Sequence, residues 1–186
     1  MEKSISFPLV MKATALITCA LTAVFYGLYR CFPTDLMLST AITAGTTFYH
    51  FGMRLLVGAI LPRCVRHPEN CRWFHQKAFE PRLYERLKVK GWKDRMPTYA
   101  PSSFSLRENT LEQVIFNCCV SEAVHEVIVL LSFVPLLFTL LWGALPVFLI
   151  TSMLAAAYDS CFIIMQRYNR PRLARILAKK EAKAHE

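Results

Sequence analysis

Two charge-free runs, Ala13 to Tyr29 and Val127 to Leu145, constrain this chain more than any motif does. About 20 consecutive apolar residues let an α-helix cross the hydrocarbon of a bilayer, and an ordinary soluble core has no use for runs of that length. Of 186 residues, 54% are hydrophobic and 19% charged, and the two kinds stand in separate blocks rather than intermixed. The expectation is an all-α integral membrane protein forming a single membrane domain.

Four transmembrane spans are expected, at about 13–32, 36–62, 122–141 and 146–165. Gly143 and Pro146 divide the second charge-free run into a tight hairpin, since glycine loosens a helix and proline cannot donate the bond that continues it. Lys3 and Lys12 resemble the basic start of a secretory signal. The apolar stretch that follows is longer than the usual 7 to 15 residues or so and a second span comes almost at once, so an uncleaved anchor is expected. The residues around Cys19 make a poor lipoprotein cleavage box.

Orientation follows from lysine and arginine. Arg63 to Thr110 carries 11 of the 22, the tail from Gln166 carries seven, and the short links Cys31 to Asp35 and Trp142 to Leu145 carry none. The positive-inside rule then places both termini, the long segment 63–121 and the tail 166–186 on the cytoplasmic side of the cell membrane. Retention of basic loops and attraction to anionic lipid, at about 1 kcal/mol per basic residue near the surface, account for the net charge of +9. No nucleic-acid partner is needed to explain it.

Seven cysteines without a C-x-x-C pair do not make a disulfide framework, and those in cytoplasmic segments face a reducing compartment. Vicinal Cys118 and Cys119 read first as small buried hydrophobes, and alternatively as a metal or acyl carrier.

Glu122, His125 and Glu126 open the third span. A charged side chain in hydrocarbon costs about 2.5 to 3.5 kcal/mol on insertion scales, so such a group needs a partner, a wet cavity or a function. At 100° per residue Cys118, Glu122, His125 and Glu126 share one helical side. In the second span Thr43, Thr46, Thr47, His50 and Arg54 form another stripe, and Asp159 adds a carboxylate to the fourth. Arg54, Glu122 to Glu126 and Asp159 lie in the cytoplasmic half of their spans, which allows one shared pocket. The bland alternative has Arg54 snorkelling, Asp159 paired with it, and the two glutamates marking the interface.

Between spans two and three, Trp73, Phe74, Phe79, Tyr84, Leu87, Trp92 and Tyr99 alternate with Arg72, Lys77, Arg82, Arg86, Lys88, Lys90, Lys93 and Arg95. That mixture suits the headgroup region, where aromatic bodies bury and cationic tips stay wet. Two readings remain open: adhesion to membrane lipid alone, or cations that also hold the phosphates of an acyl donor or an anionic carrier protein.

The string Glu85-Arg86-Leu87-Lys88-Val89-Lys90-Gly91-Trp92-Lys93-Asp94-Arg95-Met96-Pro97, the pair Glu122-x-x-His125 and the string Gln166-Arg167-Tyr168-Asn169-Arg170-Pro171-Arg172-Leu173 together resemble the bacterial glycosyl-4,4'-diaponeurosporenoate acyltransferase family. The resemblance covers about Leu83 to Leu173. Glu126 departs from it, standing where the family pattern has an aromatic residue after the histidine. What the family implies is a membrane enzyme that esterifies the sugar of a glycosylated carotenoid with a fatty acyl chain, the closing step of staphyloxanthin synthesis. Its partners would be an acyl donor, either acyl-CoA or acyl carrier protein, and a lipid-linked sugar acceptor.

Acyl transfer to a hydroxyl needs a base for the proton, a group that orients the base, and donors for the oxyanion. His125 is the expected base and Glu122, one turn back, the expected orienting group. His50, Arg54, Trp92, Lys93, Asp159, Arg167, Tyr168, Asn169, Arg170 and Arg172 are the expected donor- or substrate-binding residues. Direct attack by the hydroxyl requires no cofactor and no acyl-enzyme, and the H-x-x-x-x-D box of glycerolipid acyltransferases is absent. A metal held by His50, His125 and nearby carboxylates has only nonspecific spacing behind it, so no metal is expected. The competing class is a non-catalytic membrane interaction protein whose basic, aromatic segment recruits a partner enzyme or anionic lipid.

Overall fold

The computed structural model describes residues 7–66, 68 and 71–184, and among these every regular element is a helix. They are α1 (Phe7–Cys31), α2 (Asp35–Cys64), α3 (Glu80–Arg86), α4 (Val89–Trp92), α5 (Leu111–Leu131), α6 (Thr139–Trp142) and α7 (Leu145–Ala184), with short 3-10 turns between several of them. Three helical stretches, Phe7–Cys31, Leu111–Trp142 and Leu145–Ala184, are long and apolar enough to cross a membrane. The expected number was four. α2 has the length, with 30 residues, but its seven polar positions from Ser39 to Arg54 dilute the apolar content that the other three possess.

The described helices run past the expected spans at two ends. α5 begins at Leu111, eleven residues before Glu122, because Thr110 caps it by accepting the Gln113 N–H at 3.3 Å. The charged triad therefore sits within the helix and not at its mouth. α7 runs unbroken through Pro171 to Ala184, past the expected end of the fourth span at 165. A proline inside a helix removes one backbone bond. Here Arg167 and Arg170, one turn and one residue before it, are both anchored by ion pairs, which offsets that loss.

The chain divides into two compact units, Met1–Ala59 with Ile128–Ala157, and Ile60–Val127 with Tyr158–Glu186. In the first, the threonines of the expected polar stripe turn inward on their own helix: Thr43, Thr46 and Thr47 each donate to the carbonyl four residues back at 2.8–2.9 Å. Their hydroxyls are thereby satisfied without a partner helix. Arg54 donates to the His50 carbonyl at 2.8 Å and to the Ala155 carbonyl at 3.3 Å, and Tyr49 to the Leu131 carbonyl at 2.8 Å. Gly45 lets α1 approach closely, since a Cβ there would meet the Thr22 methyl at 3.3 Å.

The hairpin predicted at Gly143 and Pro146 is formed. Gly143 has φ 66° and ψ −123°, a region glycine alone enters without penalty, Ala144 follows at φ 51°, and Pro146 lies in the first turn of α7.

In the second unit, α3 turns into α4 through Lys88, which holds a left-handed backbone at φ 49°. The turn drives Val89 into a fully buried position against Tyr84 and Tyr168, with Trp92 and Ile164 packed around them. Tyr84 and Tyr168 meet edge to face at 5.4 Å, a favoured aromatic geometry. Asn117 of α5 donates to the Ser103 carbonyl at 2.7 Å, fixing the incoming loop to the helix.

Candidate active site

α5 and α7 bring two polar constellations together in the second unit. Glu122 is fully buried, and a buried carboxylate survives only with partners. Arg170 donates to its Oε2, and Arg167 Nε lies 2.7 Å from its Oε1, an ion-pair contact rather than an aligned hydrogen bond. These two arginines are spoken for on every side. Arg167 also donates to Glu80 at 2.6 Å and to the Trp73 carbonyl at 3.1 Å, while Arg170 donates to the Phe74 carbonyl. Their guanidinium planes stand over the Trp73 and Phe74 rings at 5.7 and 5.4 Å.

The network extends outward from there. Glu80 accepts a hydrogen bond from Tyr84 at 2.8 Å, and Glu126 accepts one from the Trp73 indole at 2.9 Å. Burial raises the Tyr84 phenol pKa well above its usual range, and the bond to Glu80 adds to the shift. Gln166 donates to Ser121 at 3.2 Å.

The second constellation is a pair. His125 Nδ1 lies 2.9 Å from Asp159 Oδ1, and the imidazole stacks flat on Phe162 with centroids 4.5 Å apart. The Asp159 side chain is 1% exposed and the His125 side chain 19%. A carboxylate fixed on Nδ1 selects the tautomer that carries its proton there and leaves Nε2 with a lone pair. The expected pairing of Glu122 with His125 is not the one formed. One turn apart on α5, they face different partners: the arginines for Glu122, Asp159 for His125.

The other expected residues take varied places. His50 and Arg54 belong to the first unit and are buried or bonded there as described. Trp92 donates to the Leu87 carbonyl at 2.9 Å and packs on the Tyr84 cluster, and Lys93 pairs with Asp94 at 2.6 Å. Tyr168 is a buried cluster member, Asn169 is half-buried on α7, and the Arg172 guanidinium carbon stands over the Tyr168 ring, 3.4 Å from its centroid.

Sequence reasoning missed Glu80, Trp73 and Phe162 as members of these constellations. Glu80 had a detectable signal: it is the first carboxylate after Cys71 in a run whose other charges, Arg72 and Lys77, are cationic, and Pro81 after it marks a helix start. Phe162 had none, because an apolar residue on an apolar helix carries no mark of what it touches.

The family model described as glycosyl-4,4'-diaponeurosporenoate acyltransferase matches residues 70–179. No curated protein and no solved structure matches the chain.

Proposed function

Since the chain belongs to the glycosyl-4,4'-diaponeurosporenoate acyltransferase family, we propose that it transfers a fatty acyl chain to a hydroxyl of a glycosylated isoprenoid or related glycolipid at the cytoplasmic face of a membrane. The observation that carries this reading is the His125–Asp159 pair. His125 Nε2 takes the proton as the acceptor oxygen attacks the carbonyl carbon of an acyl thioester. The new C–O bond forms, the C–S bond breaks, and the departing thiolate takes the proton from the imidazolium. Asp159, acting through Nδ1, holds the ring in the required tautomer and stabilises the transient positive charge.

Glu122, Arg167 and Arg170 then serve as positioning residues. They lash the Trp73–Tyr84 segment to α5 and α7, and so fix the helix that carries His125. The cytoplasmic placement rests on the crowding of basic residues into 63–110 and the C-terminal turns of α7. An acyl donor made in the cytosol and an amphiphilic acceptor in the leaflet meet at that surface.

The test is acyl transfer by the purified chain in nanodiscs, with product identified by mass spectrometry, beside lipid analysis of cells in which the gene is deleted and restored with His125→Gln. Ester product from wild type and not from His125→Gln is expected. Equal product from both would remove the histidine from the chemistry, and no product from either would return the chain to the class of membrane interaction proteins.

A further inference from the structure

Beyond the ion-pair network, the second unit holds a groove of about 650 Å³ between the α3–α4 turn and the C-terminal half of α7. Lys88, Lys90, Arg172 and Arg175 line it against a single carboxylate, Glu85. Gly91 also lines it. The floor is rigid, being the buried Tyr84–Val89–Tyr168 cluster. Lys88 and Lys90 form no ion pair among the described residues, unlike Arg167 and Arg170 deeper in the unit. Four cations gathered on a concave, preformed surface recognise a polyanion.

Resting on the acyl-transfer reading above, we propose that this groove binds the nucleotide end of a coenzyme A thioester. A single lipid phosphate offers one charged group and leaves most of such a groove empty. The nucleotide end of coenzyme A offers a diphosphate, a 3′-phosphate and a flat purine, anionic groups that the four cations can share between them. Spacing supports the assignment. Arg172 follows Asp159 by thirteen residues on one continuous helix, about 20 Å at 1.5 Å per residue. An extended pantetheine arm, which separates the phosphates from the thioester sulfur, covers a distance of that order. The groove would thus take the donor's charged end while its acyl carbon reaches the level of His125.

The experiment is calorimetric binding of coenzyme A to the full chain in nanodiscs of phosphatidylcholine alone, which removes anionic lipid from the comparison. Wild type is expected to bind coenzyme A, and dephospho-coenzyme A about tenfold more weakly, as loss of one charge-assisted contact implies. The exposed double variant Lys90→Gln/Arg172→Gln should weaken coenzyme A by about tenfold or more, and Lys90→Arg/Arg172→Lys should restore it. No binding in neutral nanodiscs, equal binding of the two nucleotides, or an undiminished double variant overturns the proposal. So does loss of phosphatidylglycerol retention as the only effect of the double variant, which would make the groove a lipid site. Transfer from acyl carrier protein without coenzyme A binding would sink this inference and spare the acyl-transfer reading. Binding without transfer from any donor would do the reverse.

Discussion

His125 Nδ1 and Asp159 Oδ1 stand 2.9 Å apart, joining α5 to α7 through a carboxylate that solvent scarcely reaches. Replacing Asp159 by asparagine keeps the shape and removes the charge that fixes the tautomer. Asp159→Asn should therefore lower kcat while leaving the acceptor KM near its wild-type value, and His125→Gln should lose at least about tenfold within the 10²- to 10⁴-fold range of general acid–base catalysis. Steady-state kinetics on both variants checks this, and an Asp159→Asn enzyme with unchanged kcat would detach the carboxylate from the mechanism.

Glu122 should behave differently from His125 despite sharing its helix. Glu122→Ala leaves the buried Arg170 and the half-buried Arg167 without their common carboxylate, and breaking a buried pair in this way costs about 3–5 kcal/mol. The loss should appear as reduced thermal stability and faster proteolysis, measured in lipid, with the specific activity of the surviving folded fraction largely kept. Normal stability with lost turnover would instead restore a direct chemical role.

Tyr84 gives a pH expectation with a defined sign. Its folded-state pKa is raised by burial first and by the bond to Glu80 second, so its contribution to stability is complete below the unfolded value near 10 and declines as pH rises through the folded one. Neutral and mildly acidic conditions should leave it untouched. Tyr84→Phe should cost about 1–3 kcal/mol at neutral pH by leaving the Glu80 oxygen without its donor, and should remove the alkaline decline that Tyr84 causes. Unfolding midpoints measured at about pH 8 and pH 11 separate the two effects.

At the hairpin, neighbouring positions should respond in opposite directions. Gly143→Ala forces a Cβ into a backbone region that costs about 1–3 kcal/mol. Ala144→Gly relieves a left-handed alanine and should be neutral or slightly stabilising. Thermal unfolding of the two variants side by side tests the pair, and a destabilised Ala144→Gly would contradict the backbone reading.

Topology is tested by cysteine accessibility. A cysteine placed at Lys90 should react with an impermeant thiol reagent only after the cytoplasmic face is exposed. Labelling in intact cells would move the whole second unit to the other side and separate it from cytosolic donors.

Much of the helical layout was legible because hydropathy and turn chemistry act locally. The expected runs 13–32 and 146–165 each fall almost wholly inside one helix, Phe7–Cys31 and Leu145–Ala184, for that reason. α5 extends eleven residues before the expected third span, and Asn117 in that extension is committed to the Ser103 carbonyl, a contact that hydropathy does not register. Helical periodicity placed Glu122 and His125 on one side correctly. It has no means of choosing between Asp159 and Glu122 as the histidine's partner, since that depends on the rotation of α7 about its axis. Likewise Arg167 and Arg170 looked available for phosphates until the Trp73–Glu80 segment, about 90 positions earlier, was found occupying them.

α1 buries only Met11 and Ala15 of its 25 residues. A helix so lightly engaged stores almost no information in its individual letters, only in its length and its greasiness. It should behave as an interchangeable part: an unrelated apolar helix of equal length that keeps Met11, Ala15 and, beside Gly45, Thr22 would serve in its place. Residues 70–179, by contrast, hold the ion pairs and the histidine, and there a shuffled sequence would have nothing left to say.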